Sequence, residues 1–227
     1  MAYSFTPDQL NALKQRATRL FGYQQQWMRN PARQRHYTKM RQCGADFAFS
    51  LEALIDAIET GRNQVFIGTT EASAEGANRH YIAAFAHDVG VNIKGDTGRI
   101  LLSNGAVIYF AGEKSHFAGL CGNAYVSEYA WANHPRTLIA QSKAVAANVR
   151  HRLTTYTTPS KNQEAWKVWK KLSTASRGTV ILSDHMREDA PLLSPADINE
   201  YRRAMSAENF AMLFMCKWPQ EDQEQPE

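Results

Sequence analysis

The sequence predicts an α/β fold built on a mainly parallel sheet with helices on both faces. Short β-rich runs at 64–68 (QVFIG), 123–129 (NAYVSEY) and 152–158 (RLTTYTT) alternate with segments of helical periodicity. Residues 99–112 (RILLSNGAVIYFAG) form two apolar runs around Asn104-Gly105, the strongest short hairpin signal in the chain. Strands joined by helices pair in parallel and need cover on both faces, so one hairpin within such an alternation gives a mainly parallel sheet.

Taken in order, Thr6-Pro7-Asp8-Gln9 combines an N-cap, a proline at the first helical position and a capping-box partner, which predicts a helix to about residue 19. Residues 20–46 interleave aromatics, glutamines and basic side chains and read as a surface. From Phe47, the positions Leu51, Leu54, Ile55 and Ile58 repeat at helical spacing, and Gly61 stands where a left-handed cap would close the helix. A strand at 64–68, a polar TTEAS turn and a helix reaching 83–87 follow. Trp166, Trp169 and Leu172 fall at three-residue spacing beside Lys167, Lys170 and Lys171, which reads as a packed stripe with lysines in water, or as aromatic and basic groups near phosphates. The acidic end QEDQEQPE predicts a frayed tail over 219–227.

Composition narrows the classes. A chain of 227 residues with 44% hydrophobic and 21% charged residues supports one domain with a sizeable core. The formal charge of +4 is compatible with a polyanionic partner without requiring one. No apolar run reaches bilayer length and the start MAYSFTPDQL lacks signal-peptide blocks, so no membrane association and a cytoplasmic location are expected. Cys43, Cys121 and Cys216 have no paired spacing and read as reduced core thiols. The seven histidines lack HExxH-like spacing, there is no GxSxG elbow, and Cys121-Gly122 lacks any neighbour that marks a nucleophile, so hydrolase chemistry of that kind is not expected.

The segments YQQQW, KMRQCGAD, GRNQVFIGTTEASA, LLSNGAVIYFAG, GNAYVSEYAW, RLTTYTTPS and FAMLFMCKW, in that order over roughly residues 20–218, resemble the terminase large subunits of contractile-tailed phages. The resemblance implies a P-loop NTPase fold, the ATPase half of a DNA-packaging motor, with an N-terminal helix over 1–20 and the ATPase-like domain over 21–218. No carboxylate cluster for two-metal cleavage follows Trp218, so no nuclease activity is expected.

A phosphate loop needs converging backbone N–H groups at a helix N-terminus, a cation and a magnesium-binding hydroxyl. The family pattern resembles Lys-x-Arg-Gln-x-Gly-x-Thr. Here Lys39, Arg41, Gln42 and Gly44 match it, whereas Asp46 replaces the hydroxyl. The Walker B aspartate position is Ser127 and the catalytic glutamate position is Glu128. Asp46 and Ser127 therefore look like a carboxylate–hydroxyl pair with its members exchanged, a displaced metal site or a hydrogen-bonded remnant. A carboxylate at 46 also suits the first turn of a helix by capping and dipole, and Lys39 and Arg41 suit a solvated basic edge. Tyr23 and Gln24 match the element that reads adenine, or the surface of an amphipathic helix. Thr155, Thr157 and Thr158 match the coupling motif, and β-propensity accounts for threonines there as well. The feeding strand, RQRHYTK, is too polar for a central strand buried on both faces, so a short strand or a displaced loop is expected.

The function implied is a terminase ATPase-like protein in a bacterial host cell with impaired hydrolysis. ATP and magnesium are its cofactors if it is active, and there are none otherwise. Double-stranded DNA would be met through backbone phosphates. The other reading is a non-catalytic terminase-fold module that binds DNA, the portal, the small terminase subunit or another terminase.

Overall fold

The computed structural model describes residues 2–95, 98–182 and 192–221. Eight strands, β1 (Ala2–Tyr3), β2 (Gln34–Lys39), β3 (Gln64–Gly68), β4 (Ile100–Leu102), β5 (Val107–Gly112), β6 (Asn123–Ser127), β7 (Leu153–Thr157) and β8 (Arg177–Val180), form one sheet in the order β1-β4-β5-β3-β6-β7-β2-β8. Every neighbouring pair is parallel except the β4–β5 hairpin, which turns through Asn104-Gly105 as the sequence predicts.

The helices are α1 (Pro7–Ala17), α2 (Gly22–Arg29), α3 (Ala45–Thr60), α4 (Glu71–Asp88), α5 (Pro135–Val145), α6 (Gln163–Lys171), α7 (Pro195–Ala204) and α8 (Ala207–Phe214). Thr6 caps α1 through a complete capping box, and Gly61 closes α3 at φ 71°. Strand alternation divides the core in two. Phe66, Tyr125 and Tyr156 join a cluster with α3 residues such as Phe49 and Leu54, while Val65, Ile67, Ala124 and Val126 join Leu138, Ile139 and Val168 of α5 and α6 on the other face. Trp166 and Trp218 are buried together with Trp169 against them, so the tryptophan stripe packs. After α8 the chain runs without a strand to Trp218. The tail beyond residue 221 lies outside the described residues.

Residues 20–46 are not the surface that their polarity suggests. Tyr23, Gln24 and Trp27 of α2 are buried, and Trp27 stacks on Phe49. The polar strand β2 is regular, lies between β7 and β8, and is buried from Arg35 to Lys39. The expectation of a short strand or displaced loop fails because each polar side chain meets a partner. Arg35, fully buried, forms a bidentate pair with Glu52 of α3 at 3.0 and 2.6 Å. It also donates to Thr154 Oγ1 on the adjacent strand and to the Trp27 carbonyl. Tyr125 and Arg152 complete the shell around Glu52. Thr38 Oγ1 accepts from the Trp169 indole, and the Tyr37 hydroxyl accepts from Asn30.

Removing one member of such a pair strands the other in the interior. Arg35→Met should therefore cost about 3–5 kcal/mol in chemical denaturation, and the double variant with Glu52→Leu should recover a large part of it. A double variant no more stable than Arg35→Met alone would contradict this account.

His36 lies on the opposite face, 2% exposed, with Nδ1 2.9 Å from Thr155 Oγ1 and Nε2 without a partner among the described residues. Burial first, then the charges of Lys143 and Arg177, lower its pKa to about 4. The unfolded chain takes up this proton near pH 6.5 and the folded chain only near 4. The neutral ring's contribution is thus complete above pH 6.5 and lost as pH falls toward 4, at up to about 1.4 kcal/mol per pH unit. Denaturation midpoints followed across that window should fall, and His36→Asn should flatten the slope.

Candidate nucleotide site

The loop joining β2 to α3 is held from beneath. The Tyr23 hydroxyl donates to the Cys43 carbonyl at 2.7 Å, and Gln24 Nε2 donates to Cys43 O and Gly44 O at 3.1 and 3.0 Å. Met40 N–H donates to Val180 O, and Arg41 N–H donates to Leu213 O. Gly44 has φ 69°, and a Cβ there would come within 2.8 Å of Gln24 Nε2, so both its backbone and its neighbour favour glycine. The loop delivers the N-terminus of α3, whose first N–H groups have no intrahelical acceptors, to a polar cleft. Lys39, Arg41, Gln42, Gly44, Asp46 and Glu128 line it, with Phe47 and Tyr81 at its side.

Across the cleft, β6 ends at Ser127, and Glu128 turns at φ 52°. Strand β7 lies between β6 and β2, so its last residues bridge the two sides. Lys39 Nζ pairs with Glu128 Oε1 and lies 3.2 Å from Thr158 Oγ1. Glu128 Oε2 accepts from Thr158 N–H at 2.8 Å and from Thr157 Oγ1 at 3.3 Å. Asp46 Oδ1 accepts from Ser127 Oγ at 3.3 Å and from the Tyr156 hydroxyl at 2.8 Å. The strand end carrying Ser127 and Glu128 thus touches both ends of the loop.

The family described as Terminase large subunit, T4likevirus-type, N-terminal, matches residues 37–224. The chain belongs to the terminase large subunit family. The terminase ATPase subunit of Escherichia phage P2 is 32% identical over 228 residues, covering 87% of this chain and 38% of that protein. The probable terminase ATPase subunit of Haemophilus phage HP1 (strain HP1c1) is 36% identical over 154 residues, covering 66% and 25%. The chain therefore spans well under half the length of these curated relatives. The large terminase of bacteriophage HK97 superposes with a TM-score of 0.66 at 14% identity, over 88% of this chain and 51% of that one. The ATPase domain of a Thermus phage large terminase superposes at 0.62 and 14% identity, over 86% of this chain and 92% of that one. At such identity the likeness concerns the fold, the P-loop NTPase fold of large terminases.

Within this terminase fold, Lys39, Asp46, Ser127, Glu128, Thr157 and Thr158 come together. Arg41 and Gln42 are exposed on the loop. Tyr23 and Gln24 lie beneath it, where their polar groups hold loop backbone, and they are not the exposed face of an amphipathic helix. Thr155 bonds His36 on the far face of the sheet, away from the cleft. Tyr156, absent from the sequence reading, reaches Asp46. Period-2 alternation within TTYTT carried the signal, since it puts residue 156 opposite residues 155 and 157.

Burial lowers the basicity of the Lys39 ammonium, but Glu128, Cys43 and Asp46 together more than offset it, and the net shift is upward. Burial raises the Asp46 carboxyl above its ordinary value against the opposing effects of Tyr156 and Lys39. The folded chain then holds the Asp46 proton more tightly than the unfolded chain, so this group favours folding at low pH and loses that contribution as pH rises through its folded pKa. Asp46→Asn keeps an acceptor for Ser127 and Tyr156 without the buried charge. Its stability relative to the parent should improve as pH rises from about 3 to about 7, and a difference independent of pH would refute the account of Asp46.

Proposed function

We propose that this terminase-family chain is an ATPase-like protein of phage DNA packaging whose ATP hydrolysis is impaired. The observation that carries the reading is Asp46, a carboxylate at the first turn of α3 beside Ser127 and Tyr156. A carboxylate there faces the terminal phosphates of a bound nucleotide, and like charges about 4 Å apart repel by about 4 kcal/mol at an effective dielectric near 20. The donor set does not fit magnesium held between a loop hydroxyl and a strand carboxylate. The two chemical types are exchanged, and one Asp46 oxygen already accepts from two hydroxyls. Lys39 and Arg41 remain the candidate phosphate-binding cations and Glu128 the candidate base.

The fold supports a nucleotide-site origin, and the P2 and HP1 relatives are named as terminase ATPase subunits. Double-stranded DNA, met without sequence preference through its backbone, and the other packaging components are the partners proposed. No helix among the described residues is long and apolar enough to cross a membrane.

A second reading, a non-catalytic interaction module with no cofactor, is favoured by the Lys39–Glu128 ion pair, which engages the two groups that hydrolysis would need. Calorimetry with ATP in the presence and absence of magnesium, beside a turnover assay of the parent and Glu128→Ala, tests both. Weak binding with little magnesium dependence, and turnover at or barely above the Glu128→Ala background, is expected. Tight magnesium-dependent binding with turnover that Glu128→Ala abolishes would overturn the proposal of impairment.

A further inference from the structure

At the opposite end of the sheet from the cleft, the loops leading into β3, β6 and β7 bring together residues far apart in sequence. Cys121 is exposed, and its Sγ lies 3.3 Å from His151 Nε2. Both are fixed by backbone bonds: Cys121 O accepts from Asn63 Nδ2 at 3.1 Å, and His151 donates its N–H to Asn148 O and accepts from Arg33 Nε at its carbonyl. Arg62 and Arg150 line the same cleft. The charged groups acting on His151 are Arg62, Arg150 and Arg33, with Asp56 alone opposing them, and Asp56 is itself paired with Arg62 at 3.4 Å. The surroundings of this thiol are therefore cationic, and a base stands within reach of its proton.

We propose that Cys121 and His151 form a thiol-exchange site selective for anionic, low-molecular-weight disulfides. Burial, followed by the two arginines, lowers the imidazole pKa, so the ring is neutral at about pH 7 and can accept a proton. His151 Nδ1 is buried without a hydrogen-bond partner among the described residues, and in the tautomer that carries the proton there Nε2 accepts the Cys121 proton. The thiolate attacks one sulfur of the disulfide RS–SR. The S–S bond of the reagent breaks, a protein–S–SR bond forms, and the departing RS⁻ takes the proton from His151, so that protein-SH and RS–SR become protein-S–SR and RSH. Arg62 and Arg150 attract carboxylates on the reagent. Cys43 and Cys216 are buried, and burial pushes the Cys43 thiol up to about 12, so neither competes.

The full chain is incubated at about pH 7 with oxidised glutathione, an anionic disulfide, or with cystamine, a cationic one. Adduct formation is followed by intact mass, and Cys121→Ser locates the adduct. A single adduct at Cys121 is expected, forming faster with oxidised glutathione than with cystamine. His151→Asn should slow it about tenfold and move the rise of rate with pH upward. Arg150→Gln should slow the anionic reagent about fivefold at low salt and leave the cationic one unslowed. A rate indifferent to His151→Asn, or cystamine reacting as fast as oxidised glutathione, would overturn the proposal.

Discussion

The fold depends on the buried pair between Arg35 and Glu52. A strand reading QRHYTK has no hydrophobic reason to lie inside a parallel sheet. It can do so because the guanidinium on one face finds a carboxylate, a threonine hydroxyl and a main-chain carbonyl in geometry that uses its fork. The same contacts fix β2 beside β7, with Arg35 opposite Thr154, and fix α3 across both. The position of the loop between β2 and α3 follows, and with it the cleft.

At the cleft, Asp46 and Ser127 bring two polar groups together. The carboxylate is on the helix and the hydroxyl on the strand, and they meet directly. Lys39 and Glu128 neutralise one another, and the end of β7 clasps the same glutamate through a main-chain N–H and threonine hydroxyls. A charge at any one of these positions is therefore felt at the others, because the distances are short. The thiol at the other end of the sheet shares none of these contacts.

Much of the architecture was legible. The capping box at Thr6, the left-handed cap at Gly61, the helical spacing from Leu51 to Ile58 and the Asn-Gly turn are local features, each with a stereochemical cause within a few residues. Where the sequence misled, polarity stood in for exposure. Arg35, His36, Lys39 and Gln24 look like surface residues, and their burial depends on partners such as Glu52, Thr155, Glu128 and the 43–44 carbonyls. Cys121 misled in the opposite sense: taken for a core thiol without a catalytic neighbour, it is exposed and lies beside His151.

Sequence by itself thus determined the fold class, the hairpin and the bounds of several helices, because periodicity, caps and turn signals are properties of adjacent residues. Tertiary structure alone decided that the polar strand is interior, that Tyr23 and Gln24 brace the loop from below, that Lys39 and Glu128 pair, and that Tyr156 joins Asp46. Each of these rests on contacts between segments distant along the chain, and no local pattern specifies which buried charge will meet which partner.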